Sequence, residues 1–299
     1  MNPLLQKQEI NCRVSRAEFI SDIECLFDVL RDAYGLYEYF GHEAFATAKD
    51  EIVNGVNEGA FDMNRAISLV REVFASFIKD GHFRIGAGDA EPADSGFAVR
   101  HTDFHGIPMI QCRKFWADTL EEEDELDYFS ESYPIYRNDE PLILDLRDNP
   151  GGSDIYIWNF VKGLYGVEPD YPCIFVQKYS ELFRQTSGTD KQGTVSQESD
   201  GVTIKSRKPV YLWINERTAS SAESAVAYFK TAENVTIVGT HTAGCFSCGN
   251  CMTVYLPHTH LPVYFGSGMV LYEKTRNIDA EGGFLAELSD EEFLKIISK

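Results

Sequence analysis

The chain has 299 residues, 43% hydrophobic and 25% charged, which is the make-up of an ordinary globular protein with room for one large domain or two modest ones. Its 27 Lys and Arg against 47 Asp and Glu give a formal charge of −20. That balance excludes sequence-independent binding to nucleic acid or to anionic membranes, both of which need clustered cations. No run reaches the roughly 18 consecutive apolar residues of a membrane span. The first nine residues also lack the basic start and apolar stretch of a secretory leader. A cytoplasmic location is favoured, with export after removal of a leader as the alternative.

The first 80 residues read as helical. Ser15 and Glu18 have the spacing of a capping box, and Phe19, Ile23, Leu26, Leu30 and Tyr34 then recur on one helical face. A second helix is expected from His42 to about Val53. A third follows Asp62, with Ile67, Val70, Phe74 and Phe77 on one side and Asp80-Gly81 as its stop. From Phe83 to about Asp139 short strands and loops are expected, punctuated by Gly86, Gly88, Pro92 and Gly96. The acidic run Glu121–Glu125 within it reads as a solvated loop or helix face.

After Glu140 strands and helices alternate. Leu142-Ile143-Leu144, Cys173–Val176, Pro209–Ile214 and Val235–Val238 read as strands; Ser153 to about Leu164 and Ala219 to Lys230 read as helices. Thr186–Ser206 reads as a loop or exposed hairpin. Such alternation is the signature of an α/β layer with mostly parallel strands. The expected organisation is a helical N-terminal subdomain (1–82), a small β-rich segment (83–140) and an α/β core (141–299).

Three segments carry chemistry. Thr218-Ala219-Ser220-Ser221-Ala222-Glu223 lies at a strand-to-helix turn, where a serine hydroxyl is held out of the core and the helix N-terminus favours negative charge. The plain alternative is a helix N-cap. Asp145-Leu146-Arg147-Asp148-Asn149-Pro150-Gly151-Gly152 ends another strand, and reactive groups in open α/β sheets collect at the carboxyl ends of strands. Backbone N–H groups of Gly151 or Gly152, with that of Ser221, could form a two-donor oxyanion hole. Alone, the glycine pair is a tight turn, and Asp145 with Arg147 a structural pair. Asp80-Gly81-His82 supplies a histidine, the usual base for a serine near neutral pH, although a lone histidine more often serves packing.

Together these segments resemble the C-terminal processing (tail-specific) serine peptidase family, which includes the tricorn core. Residues 145–152 are similar to its DLRxNxGG signature, residues 218–223 to its TASxxE nucleophile segment, residues 239–244 (Gly-Thr-His-Thr-Ala-Gly) to its GxxTxG turn, and residues 80–82 to the DGH element of its histidine-using branch. The resemblance implies a crotonase/ClpP-like α/β core, Ser220 as nucleophile, Ser221 as oxyanion donor with Gly151 and Gly152, and His82 as general base. The lysine of the other branch would fall at Cys245, so a Ser-Lys dyad is absent at that position. The acidic residue supporting the histidine would be Asp279 or Glu281. The roughly 55 residues between the helical part and the signature are too few for a PDZ domain.

The expected activity is hydrolysis of a peptide or protein substrate without a cofactor. The alternatives are a non-catalytic ligand-binding relative or an esterase-type acyl hydrolase. Of seven cysteines, Cys12, Cys25, Cys112 and Cys173 read as packing residues. Cys245, Cys248 and Cys251 cluster near His241, His258 and His260. A structural zinc wants two short-spaced ligand pairs, and only one is present, so free thiols or a redox disulfide are expected and no metal. A Cys245 nucleophile with His241 as base would leave the serine segment unexplained.

Overall fold

The computed structural model describes residues 2–86 and 96–298. Gly88 and Pro92, two of the expected punctuation residues, lie outside them. The chain opens with helices α1 (Arg16–Ala33), α2 (Tyr37–Phe40), α3 (His42–Asn57) and α4 (Met63–Phe77), then β1 (Arg84–Ile85). A hairpin of β2 (Val99–Phe104) and β3 (Ile107–Cys112) precedes α5 (Leu120–Glu131), β4 (Leu142–Asp145) and α6 (Asp154–Tyr165). Next come β5 (Cys173–Tyr179), α7 (Glu181–Ser187), β6 (Gly193–Ser199), β7 (Val210–Ile214), α8 (Ser221–Phe229) and β8 (Val235–Gly239). Finally there are β9 (Cys248–Tyr255), β10 (Pro262–Tyr272), α9 (Ile278–Glu281) and α10 (Asp290–Ile297).

Spatial proximity divides the chain into two compact units, each built from three segments. One comprises residues 1–90, 175–197 and 248–270, the other 91–174, 198–247 and 271–299. The N-terminal helices fall in the first unit, whereas the hairpin and α5 fall in the second with the strands of the expected core.

In the first unit α1 starts at the expected capping box: Ser15 Oγ accepts from the Glu18 N–H and Glu18 Oε2 accepts from the Ser15 N–H at 2.7 Å. Its stripe of Phe19, Ile23, Leu26 and Leu30 is buried and joins Phe45, Ile52, Val70 and Phe74 of α3 and α4 and Val254, Val263 and Phe265 of β9 and β10 in one core. Helix α4 stops at Phe77, three residues before Asp80, capped at Ile78 with an extended backbone. The glycine stop expected at Gly81 is not what ends it. β1, β9 and β10 pair antiparallel.

In the second unit the sheet order is β2-β3-β4-β7-β8. β3, β4, β7 and β8 run parallel, with Leu144 beside Leu212 and Leu212 beside Ile237. Alternate residues face opposite sides, and both sets are buried. Met109, Ile143, Trp213 and Val238 pack on Phe293 of α10, while Leu142, Leu144, Leu212 and Ile237 on the other side are equally inaccessible. That is the state of parallel strands covered on both faces.

Three further expectations are corrected. The stretch to Asp139 contains the helix α5, and the acidic run forms its solvated first turns after a Thr119 cap. β5 belongs to the sheet of β10 rather than the parallel layer, and its Cys173–Val176 portion is half-buried. Cys12 is exposed rather than a packing residue of the core. No helix among the described residues is long and apolar enough to cross a membrane.

Candidate active site

Three strand ends of the second unit meet through backbone and side-chain hydrogen bonds. The first lies after β4. Asp145 is wholly buried and accepts from Arg113 Nη2 (2.7 Å), Arg147 Nε (2.8 Å) and Arg147 Nη2 (2.9 Å). Burial alone would raise its pKa, but the hydrogen bonds from Arg147 and Arg113 and their charges bring it below the usual carboxylate range. The Arg147 guanidinium also lies 3.6 Å from the centre of the Trp213 ring. Thus the Asp and Arg of the signature fix the strand end.

The glycine turn is built by Asn149. Its Oδ1 accepts from the Gly151 N–H at 2.8 Å, its Nδ2 donates to Cys112, and its carbonyl accepts from the Ala219 N–H at 2.9 Å. An asparagine bonding the backbone two residues on is a self-made turn. Gly151 and Gly152 adopt φ of +102° and +129°. A Cβ on Gly151 would stand 2.6 Å from Ser220 Cβ, and one on Gly152 would stand 2.3 Å from the Phe115 carbonyl oxygen. Both positions therefore require glycine on conformational and steric grounds.

The second strand end, after β7, carries Ser220. Its φ of 55° and ψ of −124° are uncommon for a residue with a side chain, and such strain costs on the order of 1–3 kcal/mol and persists only where the surroundings over-determine it. Here they do. The Ser220 N–H donates to Glu223 Oε2 at 3.0 Å. Thr218 Oγ1 donates to the Leu146 carbonyl and accepts from the Asn215 N–H, while its own carbonyl accepts from Ala243. Ser221 opens α8, and its hydroxyl donates to the Gly152 carbonyl at 2.7 Å.

The third strand end, after β8, closes on the same glutamate. Glu223 is wholly buried. Its Oε1 accepts from Thr242 Oγ1 (2.6 Å) and the Gly244 N–H (3.1 Å), and its Oε2 from the Cys245 N–H (2.7 Å) in addition to Ser220. Burial lifts its carboxyl above the usual range against the pull of these four donors. The sequence marks Glu223 only as the last letter of a motif; the structure makes it the tie between the serine turn and the turn after β8.

Asp279 and Glu281 differ sharply. Asp279 is buried and its Oδ1 accepts from the Phe246 and Ser247 N–H groups, both at 2.7 Å. Glu281 is on the surface, paired with Arg276 at 2.5 Å. His241 Nδ1 contacts the Thr242 carbonyl at 2.8 Å. Among the described residues, no three His, Cys, Asp or Glu side chains gather as a metal site.

His82 belongs to the first unit. It is 6% exposed, in the turn between α4 and β1. Asp80 Oδ1 accepts from its N–H at 2.8 Å and stands 3.8 Å from its Nδ1; Asp80 Oδ2 accepts from Tyr34 Oη at 2.8 Å. Desolvation lowers the imidazole pKa below 6.5, Asp80 opposing it and Arg84 adding to it. Burial thus favours the neutral ring.

The model of peptidase family S41 matches residues 107–282, more than half the chain and every strand end just described. The chain belongs to peptidase family S41. Its resemblance extends to the carboxy-terminal processing protease CtpA of Bacillus subtilis, 25% identical over 207 residues, which are 66% of this chain and 40% of that protein. The chain thus spans well under two thirds of that curated relative. Two solved structures share this fold along nearly their whole lengths. A putative peptidase from Parabacteroides merdae has a TM-score of 0.61 at 16% identity, over 95% of this chain and 93% of its own. A lipoprotein from Streptococcus agalactiae has a TM-score of 0.56 at 16% identity, over 97% of each.

Proposed function

We propose that the chain is a serine peptidase in which Ser220 attacks the carbonyl carbon of a peptide bond. The observation that carries this reading is the strained Ser220 backbone pressed against Gly151 at the start of α8. Ser220 does occupy the N-cap position of α8, but a cap needs no such strain, since a serine cap ordinarily has extended backbone.

His82, its neutral form favoured by burial, takes the Ser220 proton as general base and later returns it to the leaving amine; water then hydrolyses the acyl-enzyme. The oxyanion receives the Ser221 N–H and, of the two glycines, the Gly152 N–H. The Gly151 N–H is already committed to Asn149 Oδ1. Gly151 instead gives the turn its close approach. Of the two acidic candidates, Asp279 supports His82, because a buried carboxylate is screened far less than the surface pair of Glu281 and Arg276. Peptide or protein is the substrate class.

A fluorophosphonate probe is expected to label Ser220, and Ser220→Ala to lose both labelling and peptide hydrolysis. Labelling at another residue, or intact hydrolysis in that variant, would sink the assignment. Hydrolysis of aryl esters with no cleavage across a peptide library would favour the esterase alternative.

A further inference from the structure

At the opposite end of the parallel sheet from the serine turn, the second unit holds a cavity of about 470 Å³. It is lined by Tyr136, Arg137, Leu164, Tyr165, Lys205, Arg207 and Lys208, with Asp139 the only acidic residue on its wall among the described residues. Four cations facing one carboxylate are out of keeping with a chain of net charge −20.

Two features make it a built site rather than a basic surface. Lys208 is 4% exposed, and its ammonium donates only to neutral acceptors: the Asn138 carbonyl (3.4 Å), Asn138 Oδ1 (3.2 Å) and the Glu140 carbonyl (2.6 Å). No carboxylate lies within salt-bridge distance of it among the described residues, nor of Lys205, Arg207 or Arg137. Glu140 and Asp139 attract this charge from beyond pairing distance, which leaves it only partly compensated beside the cavity. Second, the Tyr165 hydroxyl is buried without a hydrogen-bond partner among the described residues. Buried hydroxyls are nearly always satisfied, so an orphan one calls for an explanation.

We propose that this cavity binds a small phosphomonoester, with the phosphate among Lys205, Arg207 and the Tyr165 hydroxyl and the organic group against Leu164 and Tyr136. Lys205 and Arg207 are exposed and bring unused donors; Lys208 has all its protons committed and contributes charge. Arg137, whose Nε and Nη2 both donate to the Gly163 carbonyl, is fixed at the rim. A dianion suits this many cations better than a single carboxylate does, and the volume falls within the range of small-molecule pockets rather than that of a bare ion. Lys208 stands two residues before β7, whose far end leads to Ser220, so the cavity is separate from the residues proposed for hydrolysis.

The test is calorimetric titration of the full chain at low ionic strength with phenyl phosphate and with inorganic phosphate, against sodium chloride at matched ionic strength. One saturable site is expected for phenyl phosphate, tighter than for inorganic phosphate. Lys205→Glu with Arg207→Glu should weaken it by about tenfold or more, as for lost charge-assisted hydrogen bonds. Tyr165→Phe should weaken it several-fold with the melting temperature kept. No heat beyond the chloride control, or wild-type affinity in the double variant, overturns the site. Equal affinity for the two phosphates overturns the role of Leu164 and Tyr136. The reading does not depend on peptidase activity, and none of these variants touches the Ser220 turn.

Discussion

The turn that holds Ser220 and the turn that holds His82 are secured in contrasting ways. Ser220 sits where three neighbouring strand ends are stitched together: Ala219 to the Asn149 carbonyl, Ala243 to the Thr218 carbonyl, and the N–H groups of Ser220, Gly244 and Cys245 to the side chain of one buried glutamate. His82 is secured by the side chain of Asp80, itself held by a hydroxyl on the last residue of the α1 stripe. The serine turn is over-determined and tolerates strain. The histidine turn depends on a short chain of side chains inside an aromatic-rich core of Tyr34, Phe74 and Phe83. Ties drawn from three strand ends place a nucleophile rigidly, whereas burial in an aromatic core sets the protonation state of a base.

The largest effect should come from Ser220→Ala, with hydrolysis reduced by about 10⁴–10⁶-fold and the denaturation midpoint almost unchanged. His82→Ala should approach that loss. Gly151→Ala strikes the stitched turn itself. With its Cβ 2.6 Å from Ser220 Cβ, it should lower stability by about 1–3 kcal/mol in urea unfolding and cut kcat/KM by roughly 10²-fold through misplacement of the serine. Glu223→Gln turns one carboxylate oxygen into a donor facing N–H groups, and should cost about 1–3 kcal/mol.

On the histidine side the contrast sharpens with pH. The folded-state pKa of His82 lies below that of the unfolded chain, so the unfolded state binds more protons just below pH 6.5. Its contribution to stability is therefore present above that pH and is lost as pH falls toward the lowered value. His82→Gln should flatten this part of a stability–pH curve. As kcat/KM requires the neutral ring, its acid limb should have a midpoint below 6.5 in the wild type; a midpoint above 7 would refute the burial argument. The smallest effect belongs to Glu281→Gln, about 0–1 kcal/mol for a surface pair, whereas Asp279→Asn should shift the acid limb as well.

Much of this arrangement could be read from the chain because it is local. The Ser15–Glu18 box, the α1 stripe, the parallel layer and the order of the three strand-end motifs each depend on short-range spacing. Other features needed partners far away. Glu223 became the tie only when Thr242, Gly244 and Cys245 arrived from beyond another strand. The Asn149-Pro150-Gly151 sequence did carry a signal, since asparagine two residues before glycine favours a self-bonded turn. That turn withdraws Gly151 from oxyanion duty. β5 has the apolar run of a core strand, yet pairs in the other sheet, a choice set by tertiary pairing and not by propensity. α5 hid behind acidic residues because its buried face rests on few positions, Leu126 and Phe129 among them.

The interleaving of the two units has a consequence for how the molecule can be dissected. The chain passes from one unit to the other at 90/91, 174/175, 197/198, 247/248 and 270/271, five passages in all. Neither unit is a continuous stretch of polypeptide, so no single nick frees one from the other, and no one gene fragment encodes either alone. Ser220 and His82 cannot be separated onto independently expressed halves by one cut that respects both units. A circular permutant opened at an exposed turn, such as the one at Gly106 between β2 and β3, would retain all five connections across the division and add a sixth where the old termini are joined. It would show whether the order of the segments matters as much as their pairing.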